Sequence, residues 1–263
     1  MRWWTPKPKP APALKPVASV EKPTQNPSAV EHSAPTAPAG TVPNAQPAPA
    51  VFRPVPPGAP LNVPGPNGPM ILTQGNRNSF LDPVDWPLQQ AGDMLRFEVR
   101  QGDPRYKGES PTREGSELLT GFVFPPGKRF KASFVVRHLF GTPTNEDGVF
   151  QLHGVVGVPQ FVLAIRPGLY LEATTRFGVR STDQIPWRTL PGRIPLPAAV
   201  EIEWETGPRG FYRVTGGGVT MEDAGPTGFS AEPEGPRIQF GPYIASRPEP
   251  IGVEIEGFRV EAG

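Results

Sequence analysis

From about Leu95 to Gly263 the chain is written in short runs where apolar and polar residues alternate, cut by Gly, Pro, Asn and Asp. This alternation constrains the fold more than any other feature, because successive side chains on a β-strand point to opposite faces. Val200, Ile202 and Trp204 oppose Glu201 and Glu203, and Val253, Ile255 and Gly257 oppose Glu254 and Glu256. In phase with Val200 and Ile202, Trp204 reads as core. Candidate strands are Leu95–Arg100, Glu117–Phe124, Phe130–Arg137, Gly148–Val155, Gln160–Ile165, Leu169–Arg176, Ala199–Trp204, Phe211–Thr215, Arg237–Phe240 and Gly252–Val260. Turns such as Pro125-Pro126-Gly127 and Arg166-Pro167-Gly168 separate them. No segment sustains a helical period with caps. The expected fold is all-β: two antiparallel sheets packed as a sandwich or jelly roll, one sheet offering a groove to a long polymer.

Ahead of this lies a different composition. About half of the 39 prolines precede Ile71, in a stretch of Pro, Ala, Lys, Val, Thr and Ser with almost no aromatic residue. Such a segment cannot bury enough apolar surface to offset its ordering entropy. Repeated proline favours extended polyproline II, a semi-rigid spacer. The expected organisation is an aromatic tip over residues 1–5, a linker over 6–70 and the β-domain over 71–263. Trp3 and Trp4, beside Arg2, are residue types enriched at binding hot spots, so the tip reads as an anchor into a larger protein assembly.

Several function classes lose support. No apolar run is long enough to cross a membrane as a helix, and no secretory h-region follows Trp4. With no Cys there is no disulfide framework and no thiolate metal site. A formal charge of +1, with bases scattered among acids, gives no pull toward nucleic acid. No His, Asp or Cys spacing suggests a metal, and no cofactor is expected; Gly216-Gly217-Gly218 lacks the Lys and Ser/Thr of a phosphate loop.

The chemistry concentrates in Phe150-Gln151-Leu152-His153-Gly154. On a strand Gln151 and His153 share one face while Phe150 and Leu152 share the other. An amide beside a titratable imidazole suits proton removal next to a carboxylate, the amide polarising the acid and the imidazole taking the proton.

Four segments in order carry a resemblance. Leu95–Asp103 resembles the "FEVR-x-GD" strand and turn of heparin-lyase-like and alginate-lyase-like polysaccharide lyases, and Thr112–Leu118 resembles their "R-S-E-L" strand. Gln151-Leu152-His153 resembles their "Q-I-H" strand, and Gln239-Phe240-Gly241-Pro242-Tyr243 their "K-x-G-x-Y" strand. The resemblance implies a concanavalin-like jelly roll that cleaves acidic polysaccharide by β-elimination. It implies that Gln151 helps neutralise the uronate carboxylate and that His153 serves as base or carboxylate partner. Tyr243 would be acid or base at the leaving oxygen, Arg113 the cation, and Glu117 a substrate-facing residue of the same motif.

The motif's Arg position holds Gly115 here, with Arg113 two residues back, and its Lys position holds Gln239. Losing one preorganised donor costs roughly 10²–10³-fold in rate, so either other cations supply the charge and the domain cleaves, or it is a non-catalytic carbohydrate-binding module. Lys131, Arg137 and Arg176 are the candidates for binding substrate, and Trp187 and Tyr170 for stacking on sugar rings. The partner implied is an anionic polysaccharide. A terminal sugar-binding domain behind a spacer and an anchor suits a fibre or spike of a phage-like particle, at an extracellular or virion surface, an assembly type that is often homo-oligomeric.

Overall fold

The computed structural model describes residues 50–56, 59–74, 88–100, 113–115, 118–144, 147–153, 159–176, 187–225, 235–245 and 249–263. Among them there is no helix. The strands are β1 Arg53–Pro54, β2 Leu61–Gly65, β3 Gly68–Gln74, β4 Leu88–Ala91, β5 Met94–Val99 and β6 Arg113–Gly115. They continue with β7 Leu118–Thr120, β8 Arg129–Phe140, β9 Asp147–His153, β10 Phe161–Arg166, β11 Tyr170–Thr175 and β12 Arg188–Thr189. The last six are β13 Ile194–Pro195, β14 Ala198–Glu205, β15 Gly210–Gly216, β16 Val219–Gly225, β17 Arg237–Ala245 and β18 Ile251–Ala262.

These form two antiparallel sheets. The first has the order β1-β4-β5-β18-β8-β14-β15-β16; the second runs β12-β11-β10-β9-β17-β7-β3-β2, with β13 on β11 and β6 on β17. Sequential hairpins such as β14-β15-β16 and β9-β10-β11 are joined by long-range neighbours, β5-β18-β8-β14 in one sheet and β9-β17-β7-β3 in the other, as in a jelly roll.

The alternation explains the packing. Val200, Ile202 and Trp204 turn inward and are buried, as do Phe150 and Leu152 from the other sheet. Aromatic rings bridge the layers: Phe97 of β5 meets Phe240 of β17 at 5.9 Å between centroids, and Phe134 of β8 meets Phe150 of β9 at 5.9 Å. Phe161 of β10 meets Tyr212 of β15 at 5.3 Å. Burying side chains of this size contributes about 1.5–3 kcal/mol each through area removed from water.

Two expectations change. The compact unit begins at Ala48 rather than Ile71. Val55, Leu61 and Met70 supply core contacts from within the proline-rich segment, and Pro64 is tolerated because β2 is the edge of its sheet. The simple alternation of β18 also breaks at Gly257, which stands at φ 65° within a register shift between Glu256 and Arg259. The shift turns Phe258 inward, where it stacks on Phe240 at 4.2 Å.

Candidate functional site

β9 has Phe150 and Leu152 in the core, so Gln151 and His153 face outward from the second sheet. Gln151 is nearly covered and His153 half-buried. Across the β9–β10 pair Gln151 opposes Val162, and across the β9–β17 pair it opposes Gln239. His153 opposes Arg237. Buried Asp147 anchors the start of β9 by accepting from the Thr144 N–H and the Thr144 hydroxyl, both at 2.7 Å.

The β9–β17 register is regular from Arg237 to Phe240 and then shifts, leaving Tyr243 opposite Gly148. Gly241, at φ 111°, and Pro242, which has no N–H to pair, occupy the irregularity. Tyr243 therefore pairs five residues before His153 on β9, with Gln151 between them and a bulge at Val149 that shortens the run to roughly 13 Å by strand rise. Its other sheet neighbour is Gly115 of β6, followed in unbroken register by Glu114 opposite Ile244 and Arg113 opposite Ala245. Thus one sheet carries Gln151, His153, Tyr243 and Arg113 spread along the β9–β17–β6 seam, with Arg113 farthest from His153, and both cross-strand neighbours of Tyr243 are glycines. Tyr212 is a tyrosine of another kind: burial alone pushes its phenol far above the usual 10.0, so it stays protonated in the core.

The other candidates divide. Arg176 follows β11; its N–H donates to the Gln160 carbonyl at 2.8 Å, and the Gln160 N–H donates to Leu152 at 3.0 Å. Its guanidinium lies 4.0 Å over the Trp187 ring, so Arg176 and Trp187 flank the His153 end of β9. Lys131 and Arg137 are elsewhere. Both are on β8, in the first sheet, where their inward neighbours Ala132 and Val136 turn them to that sheet's outer face. There Lys131 sits 3.3 Å from Glu201, and Arg137 sits 2.6 Å from Glu256 and 3.4 Å from Glu254. They are not brought to the Gln151 face. Glu117, Trp3 and Trp4 lie outside the described residues.

Arg237 was not among the sequence candidates. The signal was present, since it is two residues before Gln239 and shares its strand phase. The motif resemblance marks position 239 and not 237. Depressions of about 410 and 440 Å³ occur over Ser133, Glu201, Glu256 and Arg259 of the first sheet and against the β2–β3 hairpin. Neither contains an imidazole, so chemistry rather than concavity marks the β9 face. Among the described residues no cluster of His, Cys, Asp or Glu could hold a metal ion.

No protein-family model matches the sequence, and no curated protein does. Solved structures do. An alginate lyase from Pseudomonas aeruginosa superposes with a TM-score of 0.51 at 17% identity, over 67% of this chain and 86% of that one. A single-residue variant of a family 7 alginate lyase, A1-II', in complex with product superposes with a TM-score of 0.51 at 13% identity, over 78% of this chain and 94% of that one. A variant of A1-II' in complex with substrate gives 0.52 at 13% identity, over 78% of this chain and 92% of that one. At such identities the likeness is one of fold, the jelly-roll sandwich of these lyases.

Proposed function

We propose that this protein recognises an anionic, uronate-containing polysaccharide on the outer face of its second sheet, and that β-elimination is the reaction this face supports. The observation that carries the reading is the pairing of Gln151 and His153 on β9 with Gln239 and Arg237 on β17. It gathers two amides, an imidazole and a guanidinium on a surface backed by Phe150 and Leu152. The fold shared with alginate lyases, one of them solved both with product and with substrate, supports the same assignment.

In the reaction, Gln151 donates hydrogen bonds to the uronate carboxylate, stabilising the charge that grows there once the adjacent carbon is deprotonated. His153 takes the C5 proton. The electron pair left on C5 forms the C4=C5 double bond as the C4–O bond breaks, and its pair departs with the bridging oxygen. Tyr243 donates its phenolic proton to that oxygen, and proton exchange with solvent then returns His153 and Tyr243 to their starting states. No water is consumed, and the product carries a conjugated unsaturated uronate end.

A second reading, a receptor-binding module that retains the glycan without cutting it, is favoured by Gly115 and Gln239, where the resemblance calls for cations. In that reading the N-terminal segment anchors the domain to a larger particle. One experiment separates the two: follow the ultraviolet absorbance of unsaturated ends while the protein is incubated with alginate, pectate, hyaluronan and bacterial capsules. A rise, abolished by Tyr243→Phe, establishes elimination. A flat trace with the same glycan retained in a pull-down establishes binding alone. Absence of both overturns the polysaccharide assignment.

A further inference from the structure

We infer that Arg237 is the residue that selects an acidic sugar, replacing the cations absent at positions 115 and 239. This rests on the polysaccharide reading above and names the group that would make it charge-specific. Arg237 opens β17 directly opposite His153. Ile238 and Phe240 point into the core, so Arg237 and Gln239 share the outward phase, beside His153 and Gln151 respectively.

Covered nitrogens without a hydrogen-bond partner occur also in Arg96 and Arg176; what sets Arg237 apart from Arg96, Arg137 and Arg166 is its charge balance. Arg96, Arg137 and Arg166 are at least half covered, and each sits against a glutamate, at 3.2, 2.6 and 2.8 Å. Arg53 and Arg209 have no acid beside them among the described residues, and both stand in solvent. Arg237 combines the two conditions: it is half-buried, its Nε is covered with no hydrogen-bond partner, and no acid pairs with it among the described residues. A guanidinium partly withdrawn from water without a counter-charge is costly, and a carboxylate arriving from outside would relieve that cost. The fork geometry of Arg suits a carboxylate better than a lysine's point charge does. Next to His153 the cation would hold the acid of the sugar whose C5 proton His153 faces.

The test compares wild type, Arg237→Gln and Arg237→Lys for affinity to alginate oligomers and to the same oligomers with their carboxyls reduced to alcohols. Wild type should prefer the acidic form. Arg237→Gln should bind the acidic form about 10- to 100-fold more weakly, the range for a hydrogen bond to a charged group, and leave the reduced form unchanged. Arg237→Lys should keep much of the preference. Unchanged melting temperatures for both variants separate this effect from misfolding. Arg237→Gln equal to wild type on the acidic oligomer, or equal losses on both oligomers, overturns the role of Arg237 and leaves polysaccharide binding standing. Wild type binding neither oligomer, nor any of the uronate polymers above, takes down both inferences.

Discussion

Gln151 and His153 reach the outer face because Phe150 and Leu152, on the same strand, are drawn into the core. A change at His153 should therefore alter chemistry with little effect on packing. On a polymer that the protein cleaves, His153→Ala should slow formation of unsaturated ends by about 10²–10⁴-fold, the usual contribution of a positioned base, while affinity changes far less. Rates and dissociation constants measured on one oligomer check this, and equal loss in both would contradict a base at 153. This pair was legible in the sequence because period-two phase alone sets which residues share a face. The position of Tyr243 was not, because the shift around Gly241 and Pro242 depends on tertiary pairing with β9. Nor was the distinction of Arg237, a covered Nε with no hydrogen-bond partner and no paired acid among the described residues, which is a property of the fold and not of the residue.

At the scale of the strands, the long alternating runs were readable and the short ones were not. Ala199–Trp204 and Phe211–Thr215 lie within β14 and β15 with a residue or so added at their ends. β2 and β3 were hidden by Pro64, Pro66 and Pro69, residues that argue against a strand unless it lies at an edge. β16, Val219–Gly225, has too little apolar patterning, and what pairs it is its neighbour β15. Glycines separate two kinds of local constraint. Gly257, at φ 65°, has only Asp93 Oδ2 near a would-be Cβ, at 3.8 Å, so Gly257→Ala should cost only the left-handed strain, about 1–2 kcal/mol. Gly235, at φ 80°, has the Phe124 carbonyl where a Cβ would go, and adding a methyl there sets that strain against a backbone clash as well. Denaturant melts should rank Gly235→Ala well below Gly257→Ala in stability; the reverse order would mean that the approach to Phe124 relaxes freely.

For the whole molecule, the compact unit from Ala48 to Gly263 contains both sheets and the proposed site. Residues 1–47 have the composition of a segment that gains little by ordering, so their contribution to the stability of the β-domain should be small. A chain starting at Ala48 should melt within about 2 °C of the full chain, a shift that for a domain of this size corresponds to less than about 1 kcal/mol. It should also bind the same oligomers with the same affinity. A chain starting at Ile71 should not, because it lacks Val55, Leu61 and Met70 from the core together with β1, β2 and part of β3. The core term alone amounts to several buried apolar side chains at about 1.5–3 kcal/mol each, a large fraction of the 5–15 kcal/mol typical of a domain. The two truncations separate what the proline-rich segment does for folding from what it does for attachment. If the full chain enters a larger assembly and the Ala48 chain, folded and binding glycan, does not, Trp3 and Trp4 become the first residues to replace. Unchanged incorporation would remove the anchor from the proposal and leave the β-domain as the sole carrier of function.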